Sequence, residues 1–267
     1  MKADLHIHST VSDGSMTRKQ ICELAKKQEI THIAFADHDC TFDYENVSKL
    51  GDESLKVIPA IEISSYDYET NKKVHILGYD YKKSAPLEKL CSPILQRRNE
   101  NCLKQIEILS RMGYVITEDR VRKYAGKCIY KQHILKYLYE SGQSKEIFGK
   151  IYNDVFKHGG VCDFDIEYAD CVDAVKAVKA AGGYAVLAHA GQQKNYSTVR
   201  KLKDAGLDGI ELFHPSNNSE AMNKIIDLSN EYDLFCTGGS DFHGEYEREY
   251  HPMGEWFSPE NPIVKQN

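Results

Sequence analysis

Short apolar runs alternate with amphipathic stretches along most of the chain. Runs of strand type cover Ala3 to His8, His32 to His38, Val57 to Ile63, Val74 to Tyr79, Tyr184 to His189, Gly209 to His214 and Leu234 to Asp241. Several of the segments between them carry apolar residues at helical spacing. Thr17 can cap a helix that buries Ile21, Leu24 and Ala25, and Asp170 one that buries Val172, Val175 and Val178. A further helix, from Ser219 to Glu231, turns Met222, Ile225, Ile226 and Leu228 inward. This alternation predicts an α/β fold with parallel strands, arranged as a barrel or a doubly wound sheet.

The middle of the chain departs from that rhythm. From Lys83 to Phe164 the pattern is helical, with helices predicted over Leu95–Met112, Lys131–Glu140 and Lys145–Lys157 and glycines between them. Residues 83–164 therefore read as an inserted helical subdomain, a lid, and residues 1–82 and 165–267 as the body that receives it.

Composition narrows the partners. A formal net charge of −6 provides no broad cationic face for duplex DNA or a membrane, and no apolar run is long enough to span a bilayer. The N-terminus lacks the charged and apolar regions of a secretory signal. The eight cysteines form no C-x-x-C pair, which predicts reduced thiols in a cytoplasmic protein.

The candidate chemistry sits at the strand ends. Alternate residues of a strand share a face, so His6 and His8 converge, and Asp13 follows on the next loop. The second run ends in Asp37-His38 and the third in Glu62; the fourth carries His75 near its start. The fifth ends in His189, the sixth in His214, and the last in Asp241-Phe242-His243. In α/β barrels the carboxyl ends of the strands form the functional face. His6, His8, Asp13, His38, Glu62, His75, His189, Asp241 and His243 together offer six imidazoles and three carboxylates. That mixture suits Mn, Zn or Fe and not Ca, and it exceeds what one ion needs, so two or three divalent ions are predicted. Three ions carry about +6 and the carboxylates offset half of it, leaving a field that favours a phosphate and a hydroxide. Asp4, Asp37 and Asp39 lie beside these ligands as either imidazole partners or cap and loop acids. His32, His158 and His251 read as surface or packing residues.

Taken in order, His6-x-His8, Ala36-Asp37-His38-Asp39, Pro59-Ala60-Ile61-Glu62-Ile63, Val74-His75-Ile76-Leu77-Gly78, Leu187-Ala188-His189 and Ser240-Asp241-Phe242-His243 resemble the motifs of the PHP (polymerase and histidinol phosphatase) family. The resemblance covers nearly the whole chain. It points to the insertion-containing branch, whose members include a nucleoside 3′,5′-bisphosphate phosphatase and 5′–3′ exoribonucleases. It implies a distorted (β/α)7 TIM-like barrel with a trinuclear site. It implies one ion held by His6, His8, Glu62 and Asp241, a second reached by Glu62 with His75 and His189, and a third held by Asp13, His38 and His243. It also implies substrate contacts from Arg98, Lys131, His133 and His214, with His214 assisting proton transfer. Lys131 stands where the branch carries arginine, Ala36 where threonine is common and Ala190 where proline is common.

The expected activity is a metal-dependent phosphoesterase acting through a metal-bound hydroxide. Its substrates would be phosphate monoesters or 5′-terminal phosphodiesters of nucleotides or short oligonucleotides. Two alternatives stand beside it. A histidinol-phosphate phosphatase is disfavoured by the insertion with its Lys131-Gln132-His133 segment, and a non-catalytic metal-binding module by the completeness of the ligand set.

Overall fold

The computed structural model describes residues 1–42, 46–47, 49–249 and 251–266. β1 (Ala3–Ile7) leads through α1 (Arg18–Lys27) to β2 (His32–Phe35), which pairs parallel to β1. Thr17 starts α1 with a reciprocal cap: its hydroxyl accepts from the Gln20 N–H, and the Gln20 side chain accepts from the Thr17 N–H. β3 (Lys56–Asp67) continues the sheet in parallel. β4 (Lys72–Tyr79) then runs antiparallel to it. This reversal departs from the all-parallel expectation, and its cause is the short β3–β4 connection. Residues 68–71 can close a hairpin, whereas a parallel crossover needs a dozen residues or more.

The insertion follows as α2 (Ala85–Arg111), α3 (Glu118–Arg122), α4 (Lys131–Glu140) and α5 (Lys150–Phe156). α2 starts well before the expected Leu95 and runs through Pro93. Its first half buries Leu87 and Cys91 against the body of the protein. Its second half buries Cys102, Ile106 and Leu109 in a separate core with α4 and α5. One helix thus belongs to two cores, and body packing carries it past a residue that disfavours helix. α5 is shorter than expected because its start is set back to Gly149, whose backbone is non-helical.

The chain returns through β5 (Ala169–Asp170), a short partner of β3, and α6 (Cys171–Ala180), where Asp170 accepts from the Val172 N–H at 2.8 Å. β6 (Tyr184–Leu187), α7 (Ala190–Gln193), α8 (Val199–Asp204), β7 (Gly209–Phe213), α9 (Ser219–Glu231), β8 (Phe235–Gly238) and α10 (Pro262–Gln266) complete it. The sheet order is β1-β2-β3-β4-β6-β7-β8. A bridge from Ile7 to Phe242 brings the two edges together, and the His8 N–H donates to the Phe242 carbonyl at 2.9 Å. The result is an α/β fold with a nearly closed, barrel-like sheet.

Leu5, Ala34, Ile58, Leu77, Tyr79 and Val186 fill the inside, with Ile263 and Val264 of α10 in the same cluster. Outside, Ile21 and Ala25 of α1 pack on Ile33 and Phe35, and α6, α8 and α9 cover Ile61, Ile76, Leu187 and Ile210. The α9 stripe is narrower than its sequence pattern suggested: Ile225 is buried, but Ile226 is 41% exposed. No described helix is long and apolar enough to cross a membrane.

Candidate metal centre

Glu62 is the hub of the site. Its Oε2 lies 3.3 Å from His6 Nε2, 3.2 Å from His8 Nε2 and 3.2 Å from His38 Nδ1. Its Oε1 lies 2.8 Å from both His75 Nδ1 and His189 Nε2. Asp241 Oδ1 adds contacts of 3.4 Å to His6 Nε2 and 3.1 Å to His8 Nε2. Asp13 faces His8 Nδ1 and His243 Nε2 at 3.6 Å each and His38 Nε2 at 3.9 Å. The structure therefore brings all nine sequence candidates to one place. His75 reaches it from the start of its strand because β4 is reversed, which puts its amino end beside the carboxyl ends of its neighbours.

Four ligand groups can be drawn here: His6, His8, Glu62 and Asp241; His8, Asp13, His38 and His243; His38, Glu62 and His75; and, at the edge of the cluster, His6, Glu211 and His214. Donor atoms at 2.0–2.2 Å from one ion stand about 3.0–3.5 Å apart, the spacing seen around Glu62 and Asp241. Buried His6 Nε2, both ring nitrogens of His8, Asp13 Oδ1, His38 Nδ1 and His189 Nδ1 have no hydrogen-bond partner, as ligand atoms aimed at cations would. The electrostatics agree. Burial pushes the Glu62 carboxyl up, but the imidazoles of His38, His6 and His75 outweigh it and hold it well below the usual carboxylate range. Burial pushes the His8 imidazole down, yet Asp241 and Glu62 lift it to about 10. The centre demands positive charge, and its donor set fits divalent transition ions.

Flanking groups hold the ligands in register. His6 Nδ1 donates to Glu211 Oε1 at 2.9 Å, which leaves Nε2 facing Glu62 and Asp241. His243 Nδ1 donates to the Asp241 carbonyl at 2.7 Å, which turns Nε2 to Asp13. His189 and Asp241 sit at φ 25° and 52°, a region side chains rarely adopt; the other Glu211 oxygen accepts from the His189 N–H at 2.8 Å. A Cβ on Gly239 would fall 2.4 Å from His6, so only glycine lets the end of β8 pass this close to β1.

A PHP domain model matches residues 4–186 of the chain. The protein belongs to the PHP domain family. It is 41% identical over 255 residues to a phosphoribosyl 1,2-cyclic phosphate 1,2-diphosphodiesterase of Eggerthella lenta, spanning 94% of this chain and 97% of that one. It is 28% identical over 250 residues to a 3′,5′-nucleoside bisphosphate phosphatase of Chromobacterium violaceum, with 90% and 86% covered. A crystal structure from Bifidobacterium adolescentis, assigned as a metal-dependent phosphoesterase, superposes with a TM-score of 0.88 at 26% identity, covering 99% of this chain and 94% of that one. This PHP protein is a metal-dependent phosphoesterase, and neither the histidinol-phosphate nor the non-catalytic alternative is favoured.

The PHP centre opens into a cavity of about 840 Å³ between barrel and insertion. Arg98, Lys131 and His214 line it. Arg98 is already engaged: its guanidinium donates to Asp39 at 3.0 Å and to Ser64 Oγ at 2.8 Å, and it lies 4.9 Å from the Tyr130 ring centroid. His133 is elsewhere. It is fully buried, and its Nδ1 accepts from the Tyr130 N–H at 3.1 Å, so it serves the start of α4 and not the cavity wall. His214 Nδ1 accepts from the Ser216 N–H at 3.1 Å, which leaves Nε2 to donate to Asp241 Oδ2 at 3.3 Å.

The neighbouring acids support loops, not imidazoles. Asp4 accepts from the Ser240 and Gly254 N–H groups at 2.9 Å each. Asp37 gathers Ser9, Ser12 and Arg18 and so shapes the loop that carries Asp13. Two residues escaped the sequence reading. Glu211 was visible as an acid inside the apolar run Gly-Ile-Glu-Leu-Phe. Gln132, which donates to Asp13 Oδ2 at 2.9 Å, had no pattern of its own. His251, expected as a surface or packing residue, packs its ring against Trp256 at 5.6 Å and also lines the cavity.

Proposed function

We propose that this PHP protein hydrolyses a phosphate ester on a phosphorylated ribose, with a phosphoribosyl 1,2-cyclic phosphate as its substrate. The observation that carries the reading is the Glu62 junction, where one carboxylate meets five imidazoles, two of which, His38 and His75, line a cavity large enough for a sugar with two phosphates. The E. lenta relative, matched over nearly the full length of both chains, supports the choice of ester. A second reading, a nucleoside 3′,5′-bisphosphate or an RNA 5′ end, is favoured by the C. violaceum relative. Both substrates are ribose esters with more than one phosphate.

In this reading two or three ions of Mn, Zn or Fe are held by His6, His8, Asp13, His38, Glu62, His75, His189, Asp241 and His243. When bound, such ions polarise phosphate oxygens and lower the pKa of water. The chain does the rest. Glu211 and the Asp241 carbonyl fix imidazole tautomers. Arg98 and Lys131 offer cationic donors to the substrate's phosphates. His214, whose Nε2–H is turned to Asp241, is placed to donate a hydrogen bond to the leaving oxygen and so assist its protonation by water. Residues 83–164 act as the lid that bounds substrate size, and the eight free cysteines support a cytoplasmic setting.

The test is product analysis with Mn-loaded protein and a His8→Ala control. Phosphoribosyl 1,2-cyclic phosphate, adenosine 3′,5′-bisphosphate and a 5′-phosphorylated RNA would be compared. Preferential turnover of the cyclic ester, absent in the control, supports the first reading. Preference for either nucleotide substrate replaces it with the second.

A further inference from the structure

Five cations line the cavity; Lys73 and Arg98 are paired with Asp165 and Asp39, and three others stand apart from those pairs. Lys131 opens α4, Lys157 follows α5, and Arg248 lies on the loop after β8. α5 gathers them. The Arg248 guanidinium carbon is 5.2 Å from the Tyr152 ring centroid, and the Lys157 ammonium is 5.8 Å from the same ring. The Lys131 ammonium is 5.7 Å from the ring of Phe156, one turn further along the helix. Aromatic faces hold cations in place without neutralising them.

Among the described residues, none of the three side chains has an ion pair or a hydrogen bond. The acids on the same walls are engaged elsewhere. Asp165 pairs with Lys73 at 2.6 Å, Glu247 accepts from the N–H groups of His243 and His251 at 2.6 Å each, and Asp163 accepts from the Gly159 N–H at 2.9 Å. Glu249 lines the cavity and is exposed, as is Arg248 beside it, but no ion pair joins Glu249 to any of the three cations. Lys131 feels its neighbours: burial and then the charge of Lys157 push its ammonium down, and Asp165 offsets only part of that. In a chain with a net charge of −6, three cations gathered around one helix with no ion pair among them are a binding feature in search of an anion.

We infer that Lys131, Lys157 and Arg248 form a second anion subsite, which holds the phosphate that is not hydrolysed and selects ribose esters with two phosphate groups. A phosphate dianion offers enough acceptors for two ammonium groups and a guanidinium fork. The inference rests on the phosphoribosyl reading above for its choice of ligand. It adds Lys157 and Arg248, which no ligand group contains, and it gives the cavity a polarity: reacting phosphate at Glu62, anchoring phosphate at α5.

The test is the double variant Lys157→Ala/Arg248→Ala in the Mn-loaded enzyme. Turnover of phosphoribosyl 1,2-cyclic phosphate is compared with that of ribose 1,2-cyclic phosphate, which lacks the second phosphate. The preference for the two-phosphate ester falls by about 30-fold or more, through KM, because two charge-assisted contacts are lost. The charge-retaining variant K157R/R248K keeps most of it. In parallel, ribose 5-phosphate is titrated calorimetrically into the Mn enzyme holding one equivalent of inorganic phosphate. The double variant binds it about tenfold or more weakly than the wild type does. Equal losses on both esters, or unchanged ribose 5-phosphate binding, overturn the subsite. If neither ester is turned over but the double variant still loses ribose 5-phosphate, the proposed substrate fails and the subsite stands.

Discussion

Glu211 holds His6 by its Nδ1 at 2.9 Å while its second oxygen accepts the His189 N–H at 2.8 Å. One buried carboxylate thus sets the tautomer of the first imidazole and pins the strained backbone of another. Glu211→Gln keeps the shape but replaces the charge and one acceptor. Carboxylate partners of this kind raise ligand basicity, so divalent-ion affinity falls by about 10- to 100-fold, read by competition with a chromogenic chelator. Wild-type affinity in the variant would remove Glu211 from the support of the centre.

The carboxylates and imidazoles around Glu62 repel their own kind unless cations separate them. Ion binding to the folded state alone stabilises by about 2.7 kcal/mol at a hundredfold excess over Kd. For a chain of this size that raises Tm by about 5–10 °C. Adding Mn to chelator-stripped protein gives that rise, and Glu62→Gln, which weakens every group that shares the hub, gives a much smaller one. A metal-independent Tm in the wild type would sink the assignment of the cluster as a metal centre.

Most of this centre was legible because strand geometry is regular: His6, His8, His38 and His189 lie at or just past the ends of parallel strands, and Glu62 lies within β3 just beyond Pro59, where its parallel pairing with β2 stops. His75 was legible by residue type, but its position made sense only with the β3–β4 hairpin, which reverses the strand. The insertion was legible as helical, but the span of α2 was not, because Pro93 argues for a break that packing of Leu87 and Cys91 overrides. Glu211 and Gln132 act across the chain, on residues about 205 and 119 positions away, and no local pattern encodes such a pair.

Arg98 and Asp39 form a buried pair at 3.0 Å, with Ser64 completing the network through its N–H and hydroxyl. The pair ties the insertion to the strand ends. Arg98→Met strands the Asp39 carboxylate, which burial already pushes upward, and lowers stability by about 3–5 kcal/mol. Arg98→Met/Asp39→Asn removes both charges and recovers part of that loss. Urea unfolding of the four proteins in the cycle measures the coupling. Additive effects would mean that the pair carries no structural weight.

His133 provides a pH test. Burial pushes its imidazole down to about 4, and its Nδ1 must stay unprotonated to accept the Tyr130 N–H. Between about pH 4 and 6.5 the unfolded chain therefore binds a proton that the folded chain does not. The stabilisation is complete above about pH 6.5 and is lost as pH falls toward 4. Glutamine at this third helical position can accept the same N–H without titrating, so His133→Gln keeps the cap and removes the pH term. From about pH 7 to pH 4.5 the wild type loses about 2.5 kcal/mol more unfolding free energy than the variant. The ligand imidazoles titrate in both proteins and cancel in the comparison. Parallel stability profiles would show that His133 is free to protonate, and with it that the start of α4 opens in acid.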